Sequence, residues 1–363
     1  MERIDLSLKE EEKRCEIFIG SGVIDFLVAD LEGRPLGNRL AIITDSTVEG
    51  LLGRRLSRRL CDAGIKTDLI AFSPGEEAKR WKTVKRIFEQ LLAKGLDRKS
   101  ALVALGGGVV GDVTGFVASL YMRSIPYVQV PTTLLAQSDS SLGGKNGIDL
   151  AQGKNLLGTV YQPSRVYVDP SVLRSLPPHE FRNGLAEVIK SAVIRSAELF
   201  RLLEDSRAAL LEHRSGVLEE MVSRCCQIKC AVVADDERDT GLRRILNFGH
   251  TVGHAIETYT DYQVPHGMAV SMGMASEAAL SARMGILSDT ERRRLLALLG
   301  IYGLPTRIPE GYNAERILAL MASDKKTEEG RIAMALPTTI GDAVVKNGIP
   351  KGLILETLKE AQA

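Results

Sequence analysis

The sequence predicts an α/β domain with a mainly parallel, Rossmann-like sheet over residues 1–176, followed by an all-α domain over residues 177–363. Between about residues 38 and 170, short β-branched runs alternate with longer helical periods, a pattern typical of parallel strands joined by helices. After residue 177 long helical periods follow, with hardly any strand signal. A chain of 363 residues also exceeds the size at which single cores stop growing, so two domains are expected.

The elements of both halves follow from hydrophobic period and from glycines that end helices. In the first half the predicted strands are "RLAIITD", "KTDLIAF", "ALVALGGG" and "IPYVQVP". The predicted helices there are "TVEGLLGRRLSRRLCDAG", which ends at Gly64, and "WKTVKRIFEQLLAKG", which ends at Gly95. In the second half, helices are predicted in "GLAEVIKSAVI", "VLEEMVSRCCQIKCAVVA", "TERRRLLALLG" and "AERILALMASDKK".

Charge and hydropathy exclude several classes of function. With 47 Lys+Arg against 46 Asp+Glu the chain has no overall basic field, so neither a nucleic acid nor a membrane is an expected partner. No apolar run approaches the roughly 20 residues of a membrane span, and the start "MERIDLSLKEEEKR" lacks the apolar core of a signal peptide. We therefore expect a cytoplasmic protein, in which an anionic small molecule would need a local basic cluster.

A glycine loop in the first half indicates a nucleotide site. "ALGGGVVGD" places Gly106, Gly108 and Gly111 directly after a predicted strand and at the start of a helix, where backbone amides can approach a pyrophosphate. A tight turn without a ligand is the alternative reading of such a loop. Asp112 beside the last glycine and the hydroxyl-rich "PTTLLAQSDSSLGGKNG" favour the nucleotide site.

Three of the five histidines fall within a short stretch of the second half, and they indicate a metal site. His250 and His254 stand one helical turn apart in "ILNFGHTVGH", and His266 follows in "VPHGMAV". Glu187 lies in the apolar helix "GLAEVIK", where a carboxylate is costly to bury unless it is paired or binds a metal. Mixed nitrogen and oxygen ligands suit Zn²⁺ or Co²⁺, with one position open for substrate.

Basic residues surround the same motifs, within glycine-rich or apolar stretches where a free charge is poorly hydrated. Guanidinium and ammonium groups in such places would suit a phosphorylated, carboxylated substrate. These residues are Arg123, Lys145, Lys154, Lys190, Lys229, Arg243, Lys325 and Lys326.

Eight ordered motifs make the chain resemble the 3-dehydroquinate synthase family over nearly its whole length. They are "PGEEAK", "GGGVVGDVTGFVAS", "PTTLLAQSDSSLGGKNGID", "GKNLLG", "GLAEVIK", "LNFGHTVGHAIE", "PHGMAVSMGM" and "DKKTEEGRIAMALPTTIG". The resemblance implies a dehydroquinate synthase-like fold, with an NAD-binding α/β domain and a helical domain that binds metal and substrate. It further implies a cleft between them, one divalent metal and a homodimer.

The resemblance also assigns roles to individual residues. It implies metal ligation by Glu187, His250 and His266, so only His250 of the two histidines in "HTVGH" would bind metal. The implied catalytic residues are His254, Lys145, Lys190, Lys229 and Asn247. The implied substrate contacts are Arg123, Asp139, Lys154, Asn155, Arg243 and Lys325, with Lys326 as an alternative to Lys325. The implied NAD contacts are Asp45, Glu76, Lys79, Gly107, Gly108, Asp112, Thr132, Thr133, Lys145 and Lys154.

By the same resemblance the substrate is the phosphorylated sugar acid DAHP, and the products are 3-dehydroquinate and phosphate. The family's reaction combines transient oxidation by NAD, phosphate elimination, re-reduction and aldol closure, with no net redox change.

Four residues depart from the family's usual pattern, and they keep other functions open. Ser124 and Asn146 stand where glycine and threonine are common, Asp149 where asparagine is common, and Met268 where glutamate is common. A related cyclase acting on a neutral sugar phosphate, of the inosose or valiolone type, is one alternative. A metal-dependent polyol dehydrogenase, which would accumulate NADH, is a second, and a non-enzymatic NAD-binding paralogue is a third.

Overall fold

The computed structural model describes residues 14–237, 239, 241–323 and 332–362. The first half contains five helices, which are α1 (Val23–Gly33), α2 (Ser46–Val48), α3 (Arg54–Asp62), α4 (Trp81–Ala93) and α5 (Gly108–Leu120). Its strands are β1 (Glu16–Ile19), β2 (Leu40–Asp45), β3 (Thr67–Phe72), β4 (Ala101–Gly106), β5 (Tyr127–Pro131), β6 (Lys145–Leu150), β7 (Gly153–Val160) and β8 (Arg165–Val168).

Six of these strands form one sheet in the order β1-β8-β5-β4-β2-β3, and every neighbouring pair is parallel. Helices cover the sheet, so its central strands are apolar on both faces, and all of β4 is buried. The predicted α/β domain with a mainly parallel sheet is confirmed. The four predicted strands correspond to β2, β3, β4 and β5, and the predicted helices to α4 and to a helical stretch of α2, a π-helical segment (Glu49–Gly53) and α3.

Two strands at one side of the sheet, β1 and β8, are missing from the sequence prediction. Each has only four residues, which is too short for a clear alternation of polar and apolar side chains. The antiparallel hairpin of β6 and β7 is missing as well, because its glycines weaken any strand signal. Gly158 is required there, since a Cβ would lie 2.4 Å from the backbone oxygen of Asn146.

The second half is dominated by nine described helices. They are α6 (Pro178–Arg195), α7 (Ala197–Asp205), α8 (Arg207–Leu211), α9 (Ser215–Asp235), α10 (His250–Tyr259), α11 (His266–Arg283), α12 (Asp289–Ile301), α13 (Ala314–Ser323) and α14 (Lys351–Glu360). The helical character is confirmed, with one addition. An antiparallel hairpin of β9 (Met334–Thr339) and β10 (Asp342–Lys346) packs on α11 and α6, where the sequence predicts no strand.

Helices α10 and α11 pack closely on each other at a pair of glycines, and this contact fixes where α10 begins. A Cβ on Gly273 of α11 would lie 1.9 Å from the backbone oxygen of Gly249, the residue before α10. Gly249 itself adopts a left-handed conformation with φ +79°. The start of α10 therefore lies against the middle of α11, and a histidine is the first residue of each helix, His250 and His266.

The largest apolar cluster joins the two halves of the chain. Leu134, Val166 and Val168 from the first half belong to the same buried cluster as Val188 of α6 and Val222 of α9. The predicted boundary after residue 176 falls just before α6, and it stays a prediction because this cluster spans both sides of it.

Candidate active site

Helix α6 carries a glutamate into the middle of the protein. Glu187 is fully buried, because α6 packs so closely on residues 134–135 that a Cβ on Gly184 would lie 2.6 Å from the backbone nitrogen of Leu135. Its Oε1 atom lies 3.3 Å from Nε2 of His250 and 3.3 Å from Nε2 of His266. Its Oε2 atom forms an ion pair with Lys190, one turn further along α6. One buried carboxylate therefore faces two imidazoles and an ammonium group.

The ring of His250 is oriented by the backbone. Its Nδ1 lies 3.1 Å from the carbonyl oxygen of Phe248, which can only accept a hydrogen bond, so Nδ1 carries the proton. Burial lowers the pKa of His250 to about 4 in spite of the neighbouring Glu187. His250 is therefore neutral near pH 7, and its Nε2 lone pair points towards Glu187 as a metal ligand would.

The second histidine lies between two carboxylates. His266 contacts Glu187 through Nε2 and Glu257 through Nδ1, at 3.3 Å in each case. Burial would lower the pKa of His266, but the hydrogen bonds to Glu187 and Glu257 outweigh it and raise the pKa to about 10. In the same way burial opposes the charge of Glu257, yet His266 lowers the pKa of that carboxyl to about 2.

The ligand atoms of Glu187, His250 and His266 lie within 4.8 Å of one another, so they can hold a metal ion. Two imidazole nitrogens and one carboxylate oxygen are a set that zinc and similar ions use when one position stays open for substrate. The donor chemistry and the burial thus fit the ion that the sequence analysis expects.

His254 has a different position from the three residues of this group. Its ring centre lies 5.2 Å from that of His250 and 6.1 Å from that of His266, on the side of Glu257. It belongs to a second group of three possible ligands, together with Glu257 and His266. The two histidines of "HTVGH" therefore belong to two neighbouring groups.

A cluster of buried charges adjoins the metal ligands. Asp139, in a π-helical turn after β5, lies 2.6 Å from Nζ of Lys229 and 3.8 Å from Nζ of Lys190. Burial alone would raise the pKa of Asp139, but Lys190 and Lys229 outweigh it and hold the pKa at about 2. The pKa of Lys229 is lowered, first by burial and then by the neighbouring cations. Arg243 is buried nearby, with Nη2 at 3.2 Å from the carbonyl oxygen of Gly143.

The residues proposed for NAD lie where the parallel strands end. Asp45 ends β2 and caps α2, while the glycine loop follows β4. A Cβ on Gly107 would lie 3.0 Å from Cγ2 of Thr133, and one on Gly108 would lie 3.1 Å from Oγ of Ser140. Thr132 follows β5, and its backbone nitrogen donates to the carbonyl oxygen of Gly106. Ligands of open parallel sheets bind at this edge, so the loop positions suit a nucleotide.

Lys79 ties this edge to the hairpin of β6 and β7. It is buried, and its Nζ lies 2.5 Å from Asp112 and 2.6 Å from Oδ1 of Asn155. Burial disfavours its charge, but Asp112 and Glu76 outweigh this and raise the pKa of Lys79. Lys154, next to Asn155, lies 3.8 Å from Glu76 and 3.0 Å from Glu257. The hairpin therefore connects the residues proposed for NAD with those beside the metal ligands.

Two carboxylates of the site are missing from the sequence prediction. Glu257 stands three residues after His254 in "HTVGHAIE". This spacing places both side chains on one helix face, so it is a sequence signal that identifies Glu257 as a candidate site residue. Asp239 pairs with the half-exposed Lys145, at 2.5 Å. Asp239 belongs to none of the described helices and strands, so sequence spacing gives no such signal for it.

The remaining predicted residues lie in turns or outside the described residues. Arg123 lies in an exposed turn after α5. Asn247 ends a 3-10 turn three residues before His250. Lys325 and Lys326 lie outside the described residues.

Two of the residues that depart from the family pattern, Asn146 and Asp149, form hydrogen bonds within the β6–β7 hairpin and the residues beside it. Asn146 is buried, and its amide donates to the carbonyl oxygens of Gly144 and Tyr161, on the side of the hairpin that packs on Gly115. The carboxylate of Asp149 accepts from the backbone nitrogen of Asn155, at 2.8 Å. Both side chains thus shape the hairpin.

Comparison with known proteins identifies the family. A model described as 3-dehydroquinate synthase N-terminal matches residues 69–183, and one described as 3-dehydroquinate synthase C-terminal matches residues 184–327. The chain belongs to the 3-dehydroquinate synthase family. It is 45% identical over 359 residues to the 3-dehydroquinate synthase of Pelotomaculum thermopropionicum, covering 99% of this chain and 96% of that protein.

Two solved structures of similar proteins share the whole fold. A 2-epi-5-epi-valiolone synthase from Streptomyces hygroscopicus, with NAD⁺ and Zn²⁺ bound, is 31% identical with a TM-score of 0.88, covering 99% of each chain. A 2-deoxy-scyllo-inosose synthase, complexed with carbaglucose-6-phosphate, NAD⁺ and Co²⁺, is 28% identical with a TM-score of 0.86. The match covers 95% of this chain and 96% of that one.

Proposed function

We propose that this chain is a 3-dehydroquinate synthase, which converts DAHP into 3-dehydroquinate and phosphate with NAD and one divalent metal, Zn²⁺ or Co²⁺. The main support is that two groups of residues adjoin at the Glu187–Lys190 ion pair. On one side lie the possible metal ligands, and on the other lie the buried cations around Asp139. Elimination of phosphate from a carboxylated substrate requires cations, whereas a simple polyol oxidation does not.

In this proposal each cofactor has a defined place. Glu187, His250 and His266 hold the metal, and the glycine loop with Asp45, Thr132 and Thr133 holds NAD. When bound, NAD would accept and return a hydride, and the metal would act as a Lewis acid at the oxygen attached to the carbon that is oxidised. The cofactors in the two similar cyclase structures support this pairing.

The cations of the chain neutralise the substrate and the leaving group. Lys145, Lys154, Lys229 and Arg243 would hold the phosphate and the carboxylate. In the elimination, the C–H bond beside the transient ketone supplies the electrons of the new double bond. The C–O bond to phosphate then breaks, and the phosphate leaves with the proton that it has accepted. His254 would relay a proton, and the later ring opening and aldol closure would depend mainly on the geometry in which the site holds the intermediate.

The proposal includes a division of labour between the halves of the chain. Residues 1–176 bind NAD, residues 177–363 provide the metal ligands and most substrate contacts, and the enzyme acts as a cytoplasmic homodimer. Within the described residues, no helix combines the length and the apolar character needed to cross a bilayer.

The proposal is tested by inorganic phosphate release from DAHP, with catalytic NAD and added Zn²⁺ or Co²⁺, while absorbance reports NADH. We expect many turnovers of phosphate per chain, 3-dehydroquinate as the product and no accumulation of NADH. Phosphate release from a neutral sugar phosphate instead of DAHP would assign a sister cyclase. Net NADH would assign a dehydrogenase, and binding without any turnover would assign a non-enzymatic role.

A further inference from the structure

Glu257 is a buried carboxylate with both oxygens engaged, and the proposed mechanism gives it no role. Its side chain is 4% exposed. Oε2 lies 3.3 Å from Nδ1 of His266, and Oε1 lies 3.0 Å from Nζ of Lys154. These two partners come from different parts of the molecule, since His266 begins α11 and Lys154 lies on β7.

We infer that Glu257 is a positioning residue with two roles. It fixes the ring of His266 for metal binding, and it holds the β6–β7 hairpin against helix α10, beside the proposed metal ligands. The inference rests on the proposed function for the presence of the metal. A carboxylate that accepts a hydrogen bond from Nδ1 leaves Nε2 facing Glu187 and His250. A hydrogen-bond partner of this kind, which does not itself touch the metal, fixes the orientation of a histidine ligand and raises its basicity.

The two histidine ligands differ in what orients them. His250 donates to the backbone carbonyl of Phe248, which belongs to its own segment. His266 depends instead on a side chain of the neighbouring helix, Glu257 of α10. The orientation of His266 can therefore be altered by one substitution, whereas that of His250 cannot.

Lys154 provides the connection to the hairpin. Its ammonium lies 4.5 Å from the ring centre of Tyr262, and the backbone nitrogen of Tyr262 donates to the carbonyl oxygen of Glu257 at 2.7 Å. The side chain of Lys154 therefore packs against the end of α10 and the residues that follow it. Because its neighbour Asn155 contacts Lys79, the hold of Glu257 on Lys154 also extends towards the proposed NAD site.

A second metal ion at His254, Glu257 and His266 is the competing interpretation of the same residues. The ammonium of Lys154 already lies at hydrogen-bond distance from Glu257, and a divalent cation there would face a like charge at close range. The arrangement therefore favours an ion pair over a second metal.

The test uses the full-length protein and four forms: wild type, Glu257→Gln, Lys154→Met and Glu291→Gln. Co²⁺ affinity and the visible Co²⁺ spectrum report on the ligand set, and hydrogen exchange reports on residues 145–160. Glu291 is the matched control, since its carboxylate also accepts hydrogen bonds, from Ser288, Thr339 and Ile340, but touches none of the site residues. Thermal unfolding of each form checks that it is folded.

We expect Glu257→Gln to weaken Co²⁺ binding by about tenfold or more and to change the spectrum, the scale usual for outer partners of metal ligands. Lys154→Met should keep the wild-type spectrum but, like Glu257→Gln, speed exchange in the hairpin. Glu291→Gln should match wild type in both measurements. Co²⁺ binding and a spectrum unchanged by Glu257→Gln would overturn the inference. So would two Co²⁺ ions per chain in wild type with one in that variant, or hairpin exchange that neither variant alters.

These measurements need no turnover, so they separate the inference from the proposed reaction. A wild-type protein whose Co²⁺ binding depends on Glu257 in this way, but that releases no phosphate from DAHP, would overturn the proposed function alone. Normal turnover with Co²⁺ binding independent of Glu257 would overturn the inference alone.

Discussion

The nucleotide side and the metal side of this protein are built in opposite ways. At the ends of the parallel strands the fit depends on missing side chains, as at Gly107 and Gly108. Around Glu187 it depends on side chains that are present, charged and buried, with each carboxylate shared between several partners. The nucleotide side should therefore be sensitive to added volume, and the metal side to removed charge or ligands.

The largest effect is expected from His250→Ala, which removes a proposed metal ligand. Phosphate release should fall by more than roughly a hundredfold, because loss of even an outer partner of a ligand commonly costs 10- to 100-fold. NAD affinity, measured by fluorescence or calorimetry, should stay near that of wild type. Near-normal turnover in a folded His250→Ala protein would show that the metal site is misplaced.

Gly107→Val makes the opposite change on the nucleotide side. The added side chain would press on Thr133, and we expect NAD affinity to fall by about a hundredfold, equivalent to about 2.7 kcal/mol. Co²⁺ affinity should be unaffected. Gly216→Val is the control, since nothing lies within 4 Å of a Cβ there. Normal NAD binding by Gly107→Val would contradict the claim that the nucleotide side is sensitive to added side-chain volume.

Asp139 tests how much a shared carboxylate contributes to stability. Its folded pKa of about 2 lies below the usual value of 3.8, so its contribution is present above about pH 4 and is lost as the pH falls through 2. This shift corresponds to a contribution on the order of 2 kcal/mol. Urea unfolding should show Asp139→Asn to be less stable than wild type at pH 7, with a gap that narrows towards pH 2. A gap independent of pH would contradict the ionic explanation.

The smallest effect is expected at Ser124, in the turn after α5. This residue has φ +93°, a backbone region that glycine adopts without strain. Ser124→Gly should therefore raise the free energy of unfolding by about 1 kcal/mol, while Ser124→Ala, which keeps the Cβ, should give no gain. A stabilisation by alanine as large as that by glycine would mean that the backbone strain is not the cause.

The two sides also differ in how far the sequence could predict them. The glycine loop and the strands beside it follow from local patterns, so the elements of the proposed nucleotide site could be predicted from the sequence. The three proposed metal ligands can be picked out in the sequence because histidines are rare in this chain and a family motif contains each of the three residues. The convergence of His250 and His266 on Oε1 of Glu187 could not be predicted, since it depends on tertiary packing such as the close approach of Gly249 and Gly273.

The contacts of the β6–β7 hairpin could not be predicted from the sequence for a related reason. Lys154 and Glu257 are 103 residues apart, and no periodicity relates them. The same holds for Lys145 and Asp239, which meet only because the hairpin lies against the second half. Such pairs are set by tertiary packing, so sequence patterns indicated the residues but not their partners.

The pairing of β1 with β8 has a consequence for synthesis on the ribosome. Glu16 pairs with Arg165, so the first strand has to wait for 149 further residues before its partner exists. At common elongation rates this delay lasts roughly 7 to 30 seconds. A nascent strand that is unpaired for so long is exposed to association with other chains. The four-residue length of β1 and the charged run "KEEEKR" before it are features that reduce this hazard during translation.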